Sequence, residues 1–267
     1  MNSSSPARLG AVHYLNVRPL VYGLGTDPAF ALRFDAPSRC AVLLRDGDID
    51  LGMIPSIEYA RGENYRIVPG LSISSFGDVA SVALFSKVPV ERIQTIAADT
   101  SSRTSVALLQ ILCARRFGIA PEFRPMAPSA AEMLAACDAA LIIGDPALFL
   151  DHDAMGVQKI DLGAEWRALT GLPFVWAMWV GAAGAIDVAV TRRLQRARDE
   201  GLRHTDEIAA EYSRGNAARI AVGQRYLRDN MRYGLGEPEQ AAMTTYYREA
   251  AALGLAPATG TPKFFEQ

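Results

Sequence analysis

From Leu9 to Tyr59 short apolar runs alternate with helix-length patterns, and this alternation constrains the fold more than any other feature of the chain. Leu9–Tyr14 reads as a strand, and Arg18-Pro19-Leu20 opens a short helix with proline in the first turn. Ala31–Phe34 is strand-like, and Pro37-Ser38 starts a helix that stops at Gly47. Ile49–Ile54 is a buried strand, and Pro55-Ser56 starts the next helix. The result is a βαβαβα order, which predicts a mostly parallel sheet flanked by helices. A second block repeats the grammar. Thr95–Ala98 is a strand, Asp99–Ser102 is rich in capping residues, and a helix runs to Gly118. Asp138–Ile143 is another strand, ending at Gly144-Asp145-Pro146.

Two apolar segments, Ser81–Ser86 and Phe174–Val180, stand between these blocks and are expected to be crossover strands. The expected α/β architecture therefore has two lobes with mixed sheets, joined by a double hinge. Residues 1–86 and 174–267 form the first lobe and residues 87–173 the second. From Ala185 onward the pattern is helical, and these helices are expected to pack back on the first lobe. Ligands in open α/β sheets bind at the carboxyl ends of strands, so two such lobes face each other across a cleft.

A length of 267 residues suits one large or two modest domains. Lys and Arg number 27 against 29 acids, a net charge of −2, so no global basic field exists to hold nucleic acid. No apolar run is long enough to span a bilayer, and the polar start from Met1 to Arg8 lacks the pattern of a secretory signal. Cys40, Cys113 and Cys137 are odd in number and lack metal-ligand spacing, so buried, reduced thiols are expected. A cytoplasmic location follows as the expectation, with no membrane partner.

Four strand-to-helix junctions carry polar clusters that should converge on the cleft. The first runs from His13 to Pro19 and offers Tyr14, Asn16 and Arg18. The second offers Ser56. The third, Asp99–Ser105, packs five hydroxyl residues (Thr100, Ser101, Ser102, Thr104 and Ser105) around Arg103, more than helix capping requires. Hydroxyls and free N–H groups at one helix N-terminus make an anion site, and an inward arginine adds a carboxylate partner. The fourth offers Gly144, which permits close approach, and Asp145, for which binding and capping are equally good readings. His13, on an apolar strand, reads better as a hydrogen-bonded core residue than as a catalyst. Trp176 reads as packing, with a cleft-lining role open to it. No metal constellation, phosphate loop or nucleophile elbow is present.

In order along the chain, VHYLNVRPL (residues 12–20), GDIDLGMIPSIE (47–58), SVALFS (81–86), DTSSRTS (99–105), ALIIGDPAL (140–148) and DLGAEWRALTGLPFVWAMW (161–179) resemble the motifs of the chorismate dehydratase family of the futalosine route to menaquinone. The resemblance implies a type II periplasmic-binding-protein fold and a carbon–oxygen lyase that removes water from chorismate to give 3-[(1-carboxyvinyl)oxy]benzoate. It implies no cofactor and no metal, a small-molecule substrate as the only ligand, and a monomer or homodimer. It makes Asn16 and Ser86 the expected catalytic residues, with Ser86 facing the cleft from the end of its strand. Two alternatives stay open: an enzyme like the dihydroxynaphthoate synthase of the same route, and a non-catalytic small-anion-binding protein. The proton acceptor is also open between His13, Asp145 and a carboxylate of the substrate.

Overall fold

The structure is a computed structural model that describes residues 5–266, so the polar reading of Met1–Ser4 falls outside the described residues, as does Gln267. The chain begins with β1 (Ala7–Val12), a 3-10 turn (Leu15–Val21), β2 (Phe30–Asp35), α1 (Pro37–Arg45), β3 (Leu51–Pro55), α2 (Ser56–Arg61), β4 (Tyr65–Ile67) and β5 (Ile73–Ser75). It crosses over and continues with β6 (Val82–Ser86), β7 (Thr95–Asp99), α3 (Arg103–Leu112), β8 (Glu122–Met126), α4 (Ala130–Ala136), β9 (Ala139–Ile143), α5 (Asp145–Leu148), β10 (Gln158–Asp161) and α6 (Leu162–Thr170). It returns through β11 (Phe174–Ala182) and closes with α7 (Val188–Arg203), α8 (Thr205–Tyr212), α9 (Ala217–Arg225) and α10 (Glu237–Ala252).

The first sheet has the order β2-β1-β3-β11-β4, with β5 also pairing β11, and the second has the order β10-β6-β9-β7-β8. In each, three parallel strands are joined by antiparallel ones: β11 beside β3, and β6 beside β9. Every residue of β3, β6 and β9 is buried. That explains their near-continuous apolar runs, because strands covered on both faces cannot alternate. β2, at the edge, keeps exposed positions.

The two segments expected as crossovers divide differently from the sequence expectation. Phe174–Ala182 lies wholly in the first sheet and Val82–Ser86 wholly in the second. The outbound crossing therefore falls between Ser75 and Val82. An apolar run reveals burial but not its pairing partner, and β6 pairs with β9 and β10. Asp161 straps this crossing. Its carboxylate accepts the N–H groups of Val79 (3.0 Å) and Ala80 (2.7 Å) and also caps α6 through Gly163 and Ala164. Ala80 sits at φ 61°, a left-handed conformation that these bonds hold in place.

The C-terminal helices cover the first sheet and its junctions. Gly201 of α7 lies so close to Pro19 that a Cβ there would meet the Pro19 carbonyl oxygen at 2.2 Å. Tyr247 of α10 donates to the Ser56 carbonyl at 3.0 Å. Cys40, Cys113 and Cys137 are buried and free, and burial pushes the Cys40 and Cys113 thiols up to about 12.

Candidate functional site

The carboxyl ends of β1, β3, β7 and β9 meet at a narrow cavity of about 70 Å³ between the sheets. Its walls are apolar on one side, with Val12, Met53, Ile73, Ile143 and Trp176. Trp176 is held by its indole N–H, which donates to Ser75 Oγ at 3.1 Å. The polar lining comes from two places: Tyr14 and Asn16 after β1, and Ser102 to Ser105 at the start of α3.

The α3 N-terminus is built for an acceptor. Ser102 occupies the cap position but makes no side-chain cap bond. Among the described residues, no acceptor meets the N–H groups of Arg103, Thr104 or Ser105. Helix starts leave such donors free, and the aligned peptide dipoles add positive potential there. Facing them, Asn16 presents a buried Oδ1 that has no hydrogen-bond partner. A buried polar atom left unpaired is costly, so its position at a cavity wall marks it as reserved for a ligand.

The cavity is closed on two sides by contacts between the lobes. On one side, Asp145 accepts the Leu15 N–H at 3.1 Å and the hydroxyl of Tyr212. Tyr14 seals the same edge by packing on Gly144, where a Cβ would lie 2.5 Å from its ring carbon. The φ of 67° at Gly144 is itself a left-handed value that glycine adopts without penalty. On the other side, Thr104 Oγ1 accepts the Ile57 N–H at 3.1 Å, and Arg103 pairs with Glu58 at 2.7 Å. Burial holds the Asp145 carboxyl above its ordinary range, and it also raises Asp99 beneath the α3 start.

Several expected site residues lie elsewhere. Ser86 stands at the far end of the second sheet, opposite Ala139 at the start of β9, whereas the cavity adjoins Ile143 at the end of that strand. Its hydroxyl is engaged with Val88, donating to the carbonyl at 2.7 Å. β6 runs antiparallel to β9, so the cleft end of β6 is its beginning, and Ser81 stands there. Ser56 is buried against Tyr247, 3.1 Å away, and does not line the cavity. Arg18 points outward into an open groove of about 1060 Å³, where Phe34 and Tyr212 flank its guanidinium at 4.6 and 5.2 Å. His13 lines the same groove and is exposed. Thr100 is exposed, and Ser101 bonds back to Asp99 through both N–H and hydroxyl. Arg103 lines the cavity but spends its guanidinium on Glu58. These departures have one cause: a sequence motif brings residues to a junction, and strand direction and pairing decide which of them turn inward. Tyr212 and Tyr226, from the helical tail, reach the junctions around the cavity, at Asp145 and Ser81, with no local signal beyond an apolar stripe.

A family model described as menaquinone biosynthesis matches residues 7–252. A chorismate dehydratase of Thermus thermophilus is 31% identical over 267 aligned residues, covering 94% of this chain and 96% of that protein. Among solved structures, protein AF1704 from Archaeoglobus fulgidus superposes with a TM-score of 0.75 at 20% identity, covering 95% of this chain and all of that one. The periplasmic aliphatic sulphonate binding protein SsuA from Escherichia coli superposes with a TM-score of 0.66 at 16% identity, over 99% of this chain and 95% of that one. Two α/β lobes closing on a narrow cavity, together with a family match over nearly the whole chain, place this protein in the menaquinone biosynthesis family on a periplasmic-binding-protein fold.

Proposed function

We propose that the protein is a chorismate dehydratase, a hydro-lyase that converts chorismate into 3-[(1-carboxyvinyl)oxy]benzoate and water in the cytoplasm. The observation that carries the reading is the composition of the cavity. Unpaired donors at the α3 start face an unpaired Asn16 oxygen across apolar walls. The carboxylates of chorismate suit the donors, its ring hydroxyl suits the Asn16 oxygen, and the Thermus thermophilus relative bears this activity in its name.

The chemistry uses those groups. The proton lost from chorismate sits on the ether-bearing ring carbon, vinylogous to the ring carboxylate. Donors on that carboxylate stabilise the negative charge that develops as the proton leaves. Hydroxide then departs from the adjacent carbon, and aromatisation drives the step. His13 and Asp145, the two protein candidates for the base, do not line the cavity, and Asp145 is committed to Leu15 and Tyr212. The proposed acceptor is therefore the enolpyruvyl carboxylate of the substrate, held close to the ring proton when Asn16 Oδ1 accepts the hydroxyl on the neighbouring ring carbon.

The test is to incubate the protein with chorismate and follow the aromatic product, with Asn16→Ala, His13→Phe and Asp145→Asn in parallel. Turnover by the wild type, lost in Asn16→Ala and kept in His13→Phe, is expected. Binding of chorismate without turnover would favour a solute-binding role, and loss of turnover in a folded His13→Phe would return the base to the protein.

A further inference from the structure

The cavity wall holds a departure from regular strand geometry. Successive side chains of a strand point to opposite faces, yet Trp176 and Ala177 of β11 both line the cavity. The pairing of β11 gives the cause. Against β5, Val175 pairs Ser74 and Ala177 pairs Ile73, so two steps along β11 match one step along β5, and Trp176 is the extra residue of a bulge. On the other edge of β11, pairing with β3 begins only at Ala177. A bulge re-aims a side chain, and this one brings a tryptophan to the wall of the cleft. The indole is fixed there on two sides. Its N–H donates to Ser75 Oγ at 3.1 Å, and its ring packs on Phe174 with centroids 4.4 Å apart. Phe174 is buried against Trp166 and Tyr246. Ser75 is as closely held, because a Cβ on Gly163 would stand 3.0 Å from its hydroxyl.

We infer that Trp176 determines specificity in the cleft, as the platform for a flat six-membered ring carried by a dicarboxylate. An indole has a single hydrogen to donate and no acceptor. With that hydrogen given to Ser75, Trp176 offers a ligand aromatic surface and no hydrogen bond. The carboxylates are left to the α3 start, so the two parts of the wall read different parts of a ligand. Aromatic pairs favour offset or edge-on contact between flat rings, and a puckered ring makes either contact poorly. Chorismate enters with a puckered ring that has two tetrahedral carbons and leaves as a benzene, so this contact strengthens as the ring flattens. Ser75 and Phe174 keep the indole from turning to fit a puckered ring equally well.

The ligand class rests on the dehydratase reading, and the experiment keeps the two apart. Calorimetry measures the affinity for 3-(carboxymethoxy)benzoate and for its saturated counterpart, cis-3-(carboxymethoxy)cyclohexane-1-carboxylate, in wild type, Trp176→Phe, Trp176→Leu and Ser75→Ala. Turnover of chorismate by the wild type is followed alongside. The two ligands carry the same carboxylates and differ in the ring. The wild type is expected to bind the flat ring about 2- to 10-fold more tightly, the range of an aromatic pair beyond its buried area. Trp176→Phe should keep a preference and Trp176→Leu should lose it. Ser75→Ala, which frees the indole, should reduce it. A merely apolar wall would take the saturated ring at least as well, and a structural tryptophan would weaken both ligands equally. Equal affinity of the wild type for the two ligands overturns the inference. So does a preference undiminished in Trp176→Leu or, should that variant not fold, in Ser75→Ala. Turnover of chorismate without a ring preference leaves the dehydratase reading intact, whereas a ring preference without turnover overturns that reading and leaves the platform standing.

Discussion

At the scale of single residues, the carboxylates divide into two kinds with opposite pH signatures. Asp138 accepts the N–H groups of Gln94 and Thr95 and the Thr95 hydroxyl, and these bonds hold its carboxyl below the ordinary range. Its contribution to stability is present at neutral pH and is lost as pH falls from the ordinary value through the native one. Asp145 is the reverse. Burial outweighs its bonds to Tyr212 and Leu15 and raises its native pKa. The folded state then holds that proton more tightly than the unfolded state, so this group's contribution falls as pH rises from the ordinary value through the raised one. Urea unfolding between about pH 7 and about pH 3 should show both signs. Relative to Asp138→Asn, the wild type should lose its advantage in acid. Relative to Asp145→Asn, it should gain on acidification. The same slope for both pairs would contradict the assignment.

At the scale of elements, the α2 and α3 starts complete each other. α2 follows Pro55, which has no side-chain cap to offer, and its Ile57 N–H is satisfied by Thr104 Oγ1 from the other lobe. Tyr246 of α10 donates to the Thr104 carbonyl at 3.0 Å and holds that residue in place. A cap supplied across a cleft exists only when the cleft is shut, so it stabilises the closed form and not the lobes themselves. Thr104→Val keeps the shape and strands the Ile57 N–H, at a cost of about 1–3 kcal/mol to closure. KM for chorismate should rise roughly tenfold or more on that scale, while the midpoint of thermal unfolding should move little. Paired measurements of KM and Tm check this. A fall in Tm with unchanged KM would make Thr104 a stability residue.

Much of the element scale was legible in advance. β3 and β9 show as continuous apolar runs, and the hydroxyl cluster before α3 exceeds what a cap requires. Asn16 and the Ser102–Ser105 stretch accordingly line the cavity as their junction positions suggested. Ser86 and Ser56 were not separable from true lining residues, because both sit at strand ends in the sequence. Ser86 is at the wrong end only because β6 runs antiparallel to β9, a non-local pairing. Arg18 stands two residues beyond Asn16, and the tight 3-10 turn that carries both sends it to the outer groove.

At the scale of the whole molecule, the lobes are closed. A cavity of about 70 Å³ holds a couple of water molecules at roughly 30 Å³ each, whereas ligand pockets usually reach several hundred Å³. Substrate entry therefore requires the contacts at Asp145 and Thr104 to part, with the crossing strapped by Asp161 as the pivot. A compact chain of this length has a radius of gyration of roughly 18 Å. Small-angle scattering should give a larger value for the free protein and a return toward the compact one when the aromatic product is added. No change on saturation with product would rule out lobe opening as the entry step.

Periods of hydrophobicity and the placement of proline, glycine and hydroxyl residues are local properties. They determined the α/β order, the two-lobed plan and the junctions where ligand donors gather. Strand direction, sheet membership and the return of the helical tail depend on contacts between residues far apart in sequence. Only the tertiary structure therefore decided that Ser81 and not Ser86 stands at the cleft end of its strand, and that Asp145 clasps the lobes instead of lining the cavity. It alone decided that Tyr226 of the returning tail brings its hydroxyl to 2.7 Å from Ser81 Oγ.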